Sequence, residues 1–135
     1  MRRYAVTAAA PGTYARAFSG HADQVREARR FLADTLDGHP AASDAVLCLS
    51  ELAANAVLHS LSRQPGGQFT VSVRLGYADR FRVEVEDEGG PWTRVNANGE
   101  HGRGLFIVSQ LARDWGISED SRATGRTVWF EIDAY

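Results

Sequence analysis

Lysine is missing from this 135-residue chain, whose 15 basic residues are all arginine. That excludes any mechanism needing a lysine within the chain. Walker-type phosphate binding goes with it, because that loop ends in Gly-Lys-Ser/Thr. Cysteine is nearly as scarce: Cys48 alone cannot form an internal disulfide, and its apolar neighbours mark it as a buried structural thiol rather than a nucleophile. No run of about 18 apolar residues offers a membrane span. The opening Met1-Arg2-Arg3-Tyr4 leads into no long apolar stretch before Pro11, so a soluble, cytoplasmic protein is expected. With a formal net charge of -2 and no basic cluster able to neutralise several phosphates, direct nucleic-acid binding has no support. A small anion stays open as a ligand.

Hydrophobic residues make up 44% of the chain, enough for one domain over residues 1–135 to bury a core without disulfides or structural metals. Residues 4–18 alternate weakly around Pro11-Gly12 and read as one or two strands. A helical stripe over 21–37 stops at Gly38-His39-Pro40, and a second helix is predicted over 41–61, before the turn signal Arg63-Gln64-Pro65-Gly66-Gly67. Two alternating segments, 69–75 and 81–86, make a hairpin. Residues 87–103 carry no period and read as a long loop, of which 88–103 are expected to act as a mobile lid. A third helix over 103–113 and strands over 114–118 and 126–132 complete the chain. The expected architecture is an α+β (α/β) two-layer sandwich: a mixed, largely antiparallel sheet of five strands with three helices on one face.

Four segments carry candidate chemistry. On the second helix Glu51, Asn55 and His59 recur every four residues, and at roughly 100° per residue they fall within an arc of about 80°. The opposite side collects Val46, Leu49, Ala53, Ala56 and Val57, while Cys48, Leu52 and Leu58 flank the polar trio. An ordinary solvated face would carry more charge. Next, the strand 83–86 ends in Asp87-Glu88-Gly89-Gly90: Asp87 can accept from an exocyclic amine, and Gly89 lets a flat ring approach the backbone. Taken by itself, an acidic turn after a strand is the simpler reading. The run Gly102-Arg103-Gly104-Leu105 opens directly into an apolar helix, whose free N–H groups suit phosphates. No strand immediately precedes it, so it is not a dinucleotide-binding fingerprint. Last, Gly125 opens a strand on which Thr127 carries a hydroxyl.

Together and in this order, the four segments resemble the N, G1, G2 and G3 boxes of the GHKL superfamily, which includes DNA gyrase, heat-shock chaperones, sensor histidine kinases and mismatch-repair ATPases. The resemblance spans residues 20–132 and is nearest to the anti-sigma-factor serine/threonine kinase branch. It implies a Bergerat-type ATP-binding fold, with ATP and Mg2+ as cofactors. It further implies Glu51 as the carboxylate that activates the attacking hydroxyl, and Asn55 as the magnesium ligand. Asp87 and Gly89 would meet the adenine amine, Thr127 would support the same base through water, and Gly102 and Gly104 would face the phosphates. His59, Arg103 and Leu105 stand beside matching positions and join the nucleotide-binding set.

The implied partners are a sigma factor to sequester and an anti-anti-sigma protein to phosphorylate, with a homodimer left open. Two departures qualify the likeness. The segment between Gly89 and Gly102 is short and carries Pro91-Trp92. The absent lysine, with no transducer domain in these 135 residues, argues against gyrase-like hydrolysis, and the lack of a phosphoacceptor helical domain argues against a complete sensor kinase. The competing reading is a nucleotide-binding interaction module without significant phosphoryl transfer. An intact Glu51 favours the enzyme, since a pure binding module has no chemical need for a carboxylate beside the γ-phosphate.

Overall fold

In a computed structural model the described residues are 12–59, 64–77, 80–89, 102–119 and 125–133. They form β1 (Thr13–Ser19), α1 (Ala22–Thr35), α2 (Ala42–His59), β2 (Gln68–Tyr77), β3 (Arg80–Asp87), α3 (Gly102–Leu111), β4 (Asp114–Glu119) and β5 (Arg126–Asp133). Each predicted element is present within a few residues of its expected bounds. Any strand before residue 12, and residues 90–101 of the predicted lid, lie outside the described residues. α1 ends where its periodicity ends, and Gly38 (φ 79°) then turns the chain with a left-handed backbone that costs glycine little. No helix among the described residues is long and apolar enough to cross a membrane.

The sheet has the order β1-β2-β3-β5-β4, and every pairing is antiparallel. The largely antiparallel sheet expected is thus wholly so, because β5 returns between β3 and β4 instead of crossing over to lie parallel to a neighbour. Alternation then sorts the side chains. Phe81, Val83, Val85 and Asp87 of β3 lie opposite Ile132, Phe130, Val128 and Arg126 of β5 and face the helices. Arg82, Glu84, Trp129 and Glu131 take the other face. There both Arg80 and Arg82 donate to the buried Glu131 carboxylate, at 3.2 and 3.0 Å, and the Arg82 guanidinium lies 4.0 Å from the Trp129 ring centroid.

α1, α2 and α3 cover the first face. The core between the layers is aromatic near β1, where Phe18 stacks on Phe69 at 5.4 Å and meets Phe31 of α1 edge-on at 6.1 Å. α2 contributes an aliphatic stripe, with Leu49, Leu52, Ala53, Ala56 and Val57 buried, over Phe81 and Phe130 of the sheet. A cleft lined by Pro40, Ala41, Leu111, Ala112 and Ile132 shows that α2 begins where α3 and β5 end. The later turns of α2, the start of α3 and the Asp87–Arg126 end of the β3–β5 ladder therefore lie towards the other end of the molecule. The predicted site residues all map to those segments.

Phe18 joins the edge strand to both layers. Phe18→Ala should lower the unfolding free energy by about 3–5 kcal/mol, the usual cost of emptying a buried aromatic site. Urea denaturation would read this as a lower midpoint at unchanged slope.

Candidate functional site

α2 serves two purposes with one stripe each. Its core stripe takes Ala45, Cys48, Leu49, Leu52, Ala53, Ala56 and Val57 to within 6% of full burial. Cys48 and Leu52, expected beside the polar residues, belong to this stripe instead, because the sheet and α1 cover a wider arc of the helix than one face. Burial and the nearby Asp44 and Glu51 carboxylates push the Cys48 thiol up to about 12, so it stays protonated, as a structural thiol should. Glu51 and Asn55 are half-buried beside that stripe. His59 closes the helix.

What meets Glu51 and Asn55 is the beginning of α3. A Cβ on Gly104 would lie 3.2 Å from Glu51 Oε2, 3.3 Å from Glu51 Cβ and 3.6 Å from Asn55 Nδ2. Glycine here lets the first turn of α3 lie directly on the polar face of α2. The first four N–H groups of a helix have no partner within it, so a patch of positive potential is brought beside a carboxylate and an amide. Gly102 and Arg103 are the first two residues of α3, and Leu105 packs partly against the core.

The second cluster sits at the end of the β3–β5 ladder. Asp87 is 8% exposed; its Oδ1 accepts the Gly89 N–H at 2.7 Å and lies 3.5 Å from Nη2 of the buried Arg126. Gly89, at φ 73°, holds the turn that aims its N–H back at that carboxylate. A Cβ on Gly125 would come within 3.3 Å of the Asp87 carbonyl oxygen, so glycine permits β5 to start tight against β3. Burial lifts the Asp87 carboxyl above its usual range, opposed by the Gly89 N–H and the Arg126 guanidinium. The folded state thus holds that proton more tightly than the unfolded state. Stability contributed at this position falls as pH rises from the ordinary carboxylate range through the raised value. A carboxylate kept where it detracts from stability is a functional-site candidate.

Thr127 does not join this group. Its partner in register is Glu86, and alternation turns it to the face opposite Asp87. Arg126, which the motif reading passed over, takes the inward place. The signal was present in the sequence: if Val128, Phe130 and Ile132 point inward, so does residue 126.

The histidine kinase-like ATPase domain model matches residues 18–132, nearly the whole chain and all four segments. The chain belongs to this family. No curated protein matches it. Among solved structures, the RsbU and RsbW domains of Rv1364c from Mycobacterium tuberculosis superpose with a TM-score of 0.68 at 21% identity, over 88% of this chain and 32% of that one. This chain thus spans about a third of that larger one. The likeness carries the α+β fold.

The family is one of ATP-binding domains, and the residues described here fit a nucleotide. The Gly104 contact is a cradle that a side chain would fill, and the start of α3 supplies N–H donors. Among the described residues no three His, Cys, Asp or Glu side chains gather as metal ligands. A magnesium ion here would rely on the Asn55 amide oxygen and the nucleotide's own phosphates, the mode this ion commonly adopts. Bulk at residue 104 should separate α3 from α2. We expect Gly104→Val to lower the melting temperature by several degrees, and Gly104→Ala to change it little, since the gain in helix propensity of about 1 kcal/mol offsets the tight contact.

Proposed function

We propose that this chain is an ATP-dependent protein serine/threonine kinase of the anti-sigma-factor type, which sequesters a sigma factor and phosphorylates an anti-anti-sigma protein on serine. The observation that carries this reading is the seating of the α3 N-terminus on Glu51 and Asn55 at Gly104. A phosphate held by the first N–H groups of α3 would lie beside a carboxylate, which is what transfer to a hydroxyl requires. Glu51 takes the proton of the partner's serine hydroxyl as its oxygen attacks the γ-phosphorus and ADP leaves. Asn55, one helical turn further on, offers its amide oxygen to the magnesium ion that neutralises the phosphates. Asp87 accepts from the adenine amine, and Gly89 leaves room for the ring.

Asp87 would face a carbonyl if guanine took the same pose, setting two acceptors against each other. Such a mismatch costs on the order of 1–3 kcal/mol, so ATP should bind about tenfold or more tightly than GTP. Calorimetry giving equal affinities would sink the base assignment, and Asp87→Asn should weaken ATP binding.

Glu51 and Asn55 should separate by phenotype. Glu51→Gln keeps size and hydrogen-bonding reach but is far too weak a base, so phosphorylation should fall roughly 10²- to 10⁴-fold while ATP affinity holds. Asn55→Ala should lose activity and magnesium-dependent nucleotide binding together. Labelled ATP, magnesium and candidate partners provide the assay, with phosphoserine as readout. If the wild-type protein transfers no phosphate to any partner while sequestration survives Glu51→Gln, the chain is a nucleotide-binding interaction module instead.

A further inference from the structure

The Asp87–Arg126 pair is not explained by the fold. One step along the same face of the ladder the cross-strand pair is Val85–Val128, and the next is Val83–Phe130, so apolar residues suffice to join β3 to β5. A buried ion pair adds little to stability over an apolar pair of similar volume. Both side chains of this one are nonetheless more than nine-tenths buried. The pair also sits at the end of the ladder where the base of a nucleotide would dock.

The Gly89 N–H and Arg126 Nη2 both approach Asp87 at Oδ1. A guanidinium has donors and no acceptor. An inward carboxylate beside an inward guanidinium therefore presents one acceptor next to one donor. The six-membered edge of adenine presents the complement, an exocyclic amine beside an unprotonated ring nitrogen. Guanine reverses that order, placing a carbonyl and then a protonated nitrogen.

Resting on the ATP-site reading above, we propose that Arg126 is a second base-reading residue, whose guanidinium donates to the ring nitrogen N1 while Asp87 accepts from the neighbouring amine. Arg126 then has two coupled tasks. Its charge stabilises the ionised form of Asp87 against burial, and its N–H groups replace what would otherwise be solvent at N1. Selectivity for adenine over guanine is then shared between β3 and β5.

The test compares ATP with 1-deaza-ATP, in which N1 is replaced by a C–H group that cannot accept. Calorimetry on the wild-type protein should show 1-deaza-ATP binding about tenfold more weakly, the expected loss for one unmade hydrogen bond to a charged donor. Arg126→Ala should bind both nucleotides with nearly equal affinity. Arg126→Lys, which keeps a charged donor, should recover most of the preference. Taking the ratio of two ligands on one variant cancels any general weakening that follows from changes at Asp87. Equal binding of the two nucleotides by the wild-type protein overturns the proposal, and this arm needs no variant to fold. A tenfold penalty that persists unchanged in Arg126→Ala also overturns it, since the contact to N1 then comes from water or another residue. If the wild-type protein binds no ATP at all, the nucleotide-site reading itself falls. Strong ATP binding with an Arg126-independent penalty removes only the role given to Arg126.

Discussion

β5 enters the sheet between β3 and β4, and the ladder it makes with β3 runs unbroken from Arg80↔Asp133 to Asp87↔Arg126. Everything else hangs on that register. A shift by one residue would turn Val128, Phe130 and Ile132 out of the core and bring Trp129 and Glu131 into it. The same shift would dissolve the Asp87–Arg126 pair at one end and the Glu131 network on the open face. The core, the salt-linked outer surface and the proposed base site are thus three readings of one alignment.

The helical layer is constrained in a similar way by α2. Its core stripe must stay apolar for the sheet to pack, yet a carboxylate and an amide lie half-buried alongside it. Small residues reconcile these demands. Ala53 and Ala56 let α2 sit low on the sheet, while Gly104 lets α3 come down on Glu51 and Asn55.

Secondary structure was legible because each element carries its own period and its own stop signals. α2 reads from periodicity, β2 and β3 from alternation, and α3 from the apolar run after Gly104. The relation of Glu51 to Asn55 also follows from helical geometry alone. Tertiary relations were harder. Whether Thr127 or Arg126 faces inward depends on which side of β5 meets the helices; the alternation of Val128, Phe130 and Ile132 marks that side, but Trp129 on the outer face makes the strand read as a continuous apolar run from 128 to 130. The width of the buried arc on α2, which claims Cys48 and Leu52, depends on how many neighbours the helix has. That number is a property of the packed layers and leaves no mark in the helix's own sequence.

The sheet's first strand has a distant partner. Ser19 pairs with Gln68 and Thr13 with Arg74, so β1 leaves the ribosome long before the strand that completes it. Through the synthesis of α1 and α2 its backbone donors and acceptors stay open, with Phe18 exposed beside them. An unpaired edge of this kind is a template for another chain as much as for its own. Arg16 at the centre of β1 sets a charge where a second nascent copy would have to align against an identical one. In the finished fold the same guanidinium lies 4.6 Å from the Phe18 ring centroid, so the charge that disfavours pairing of two unfinished copies ends held against the core.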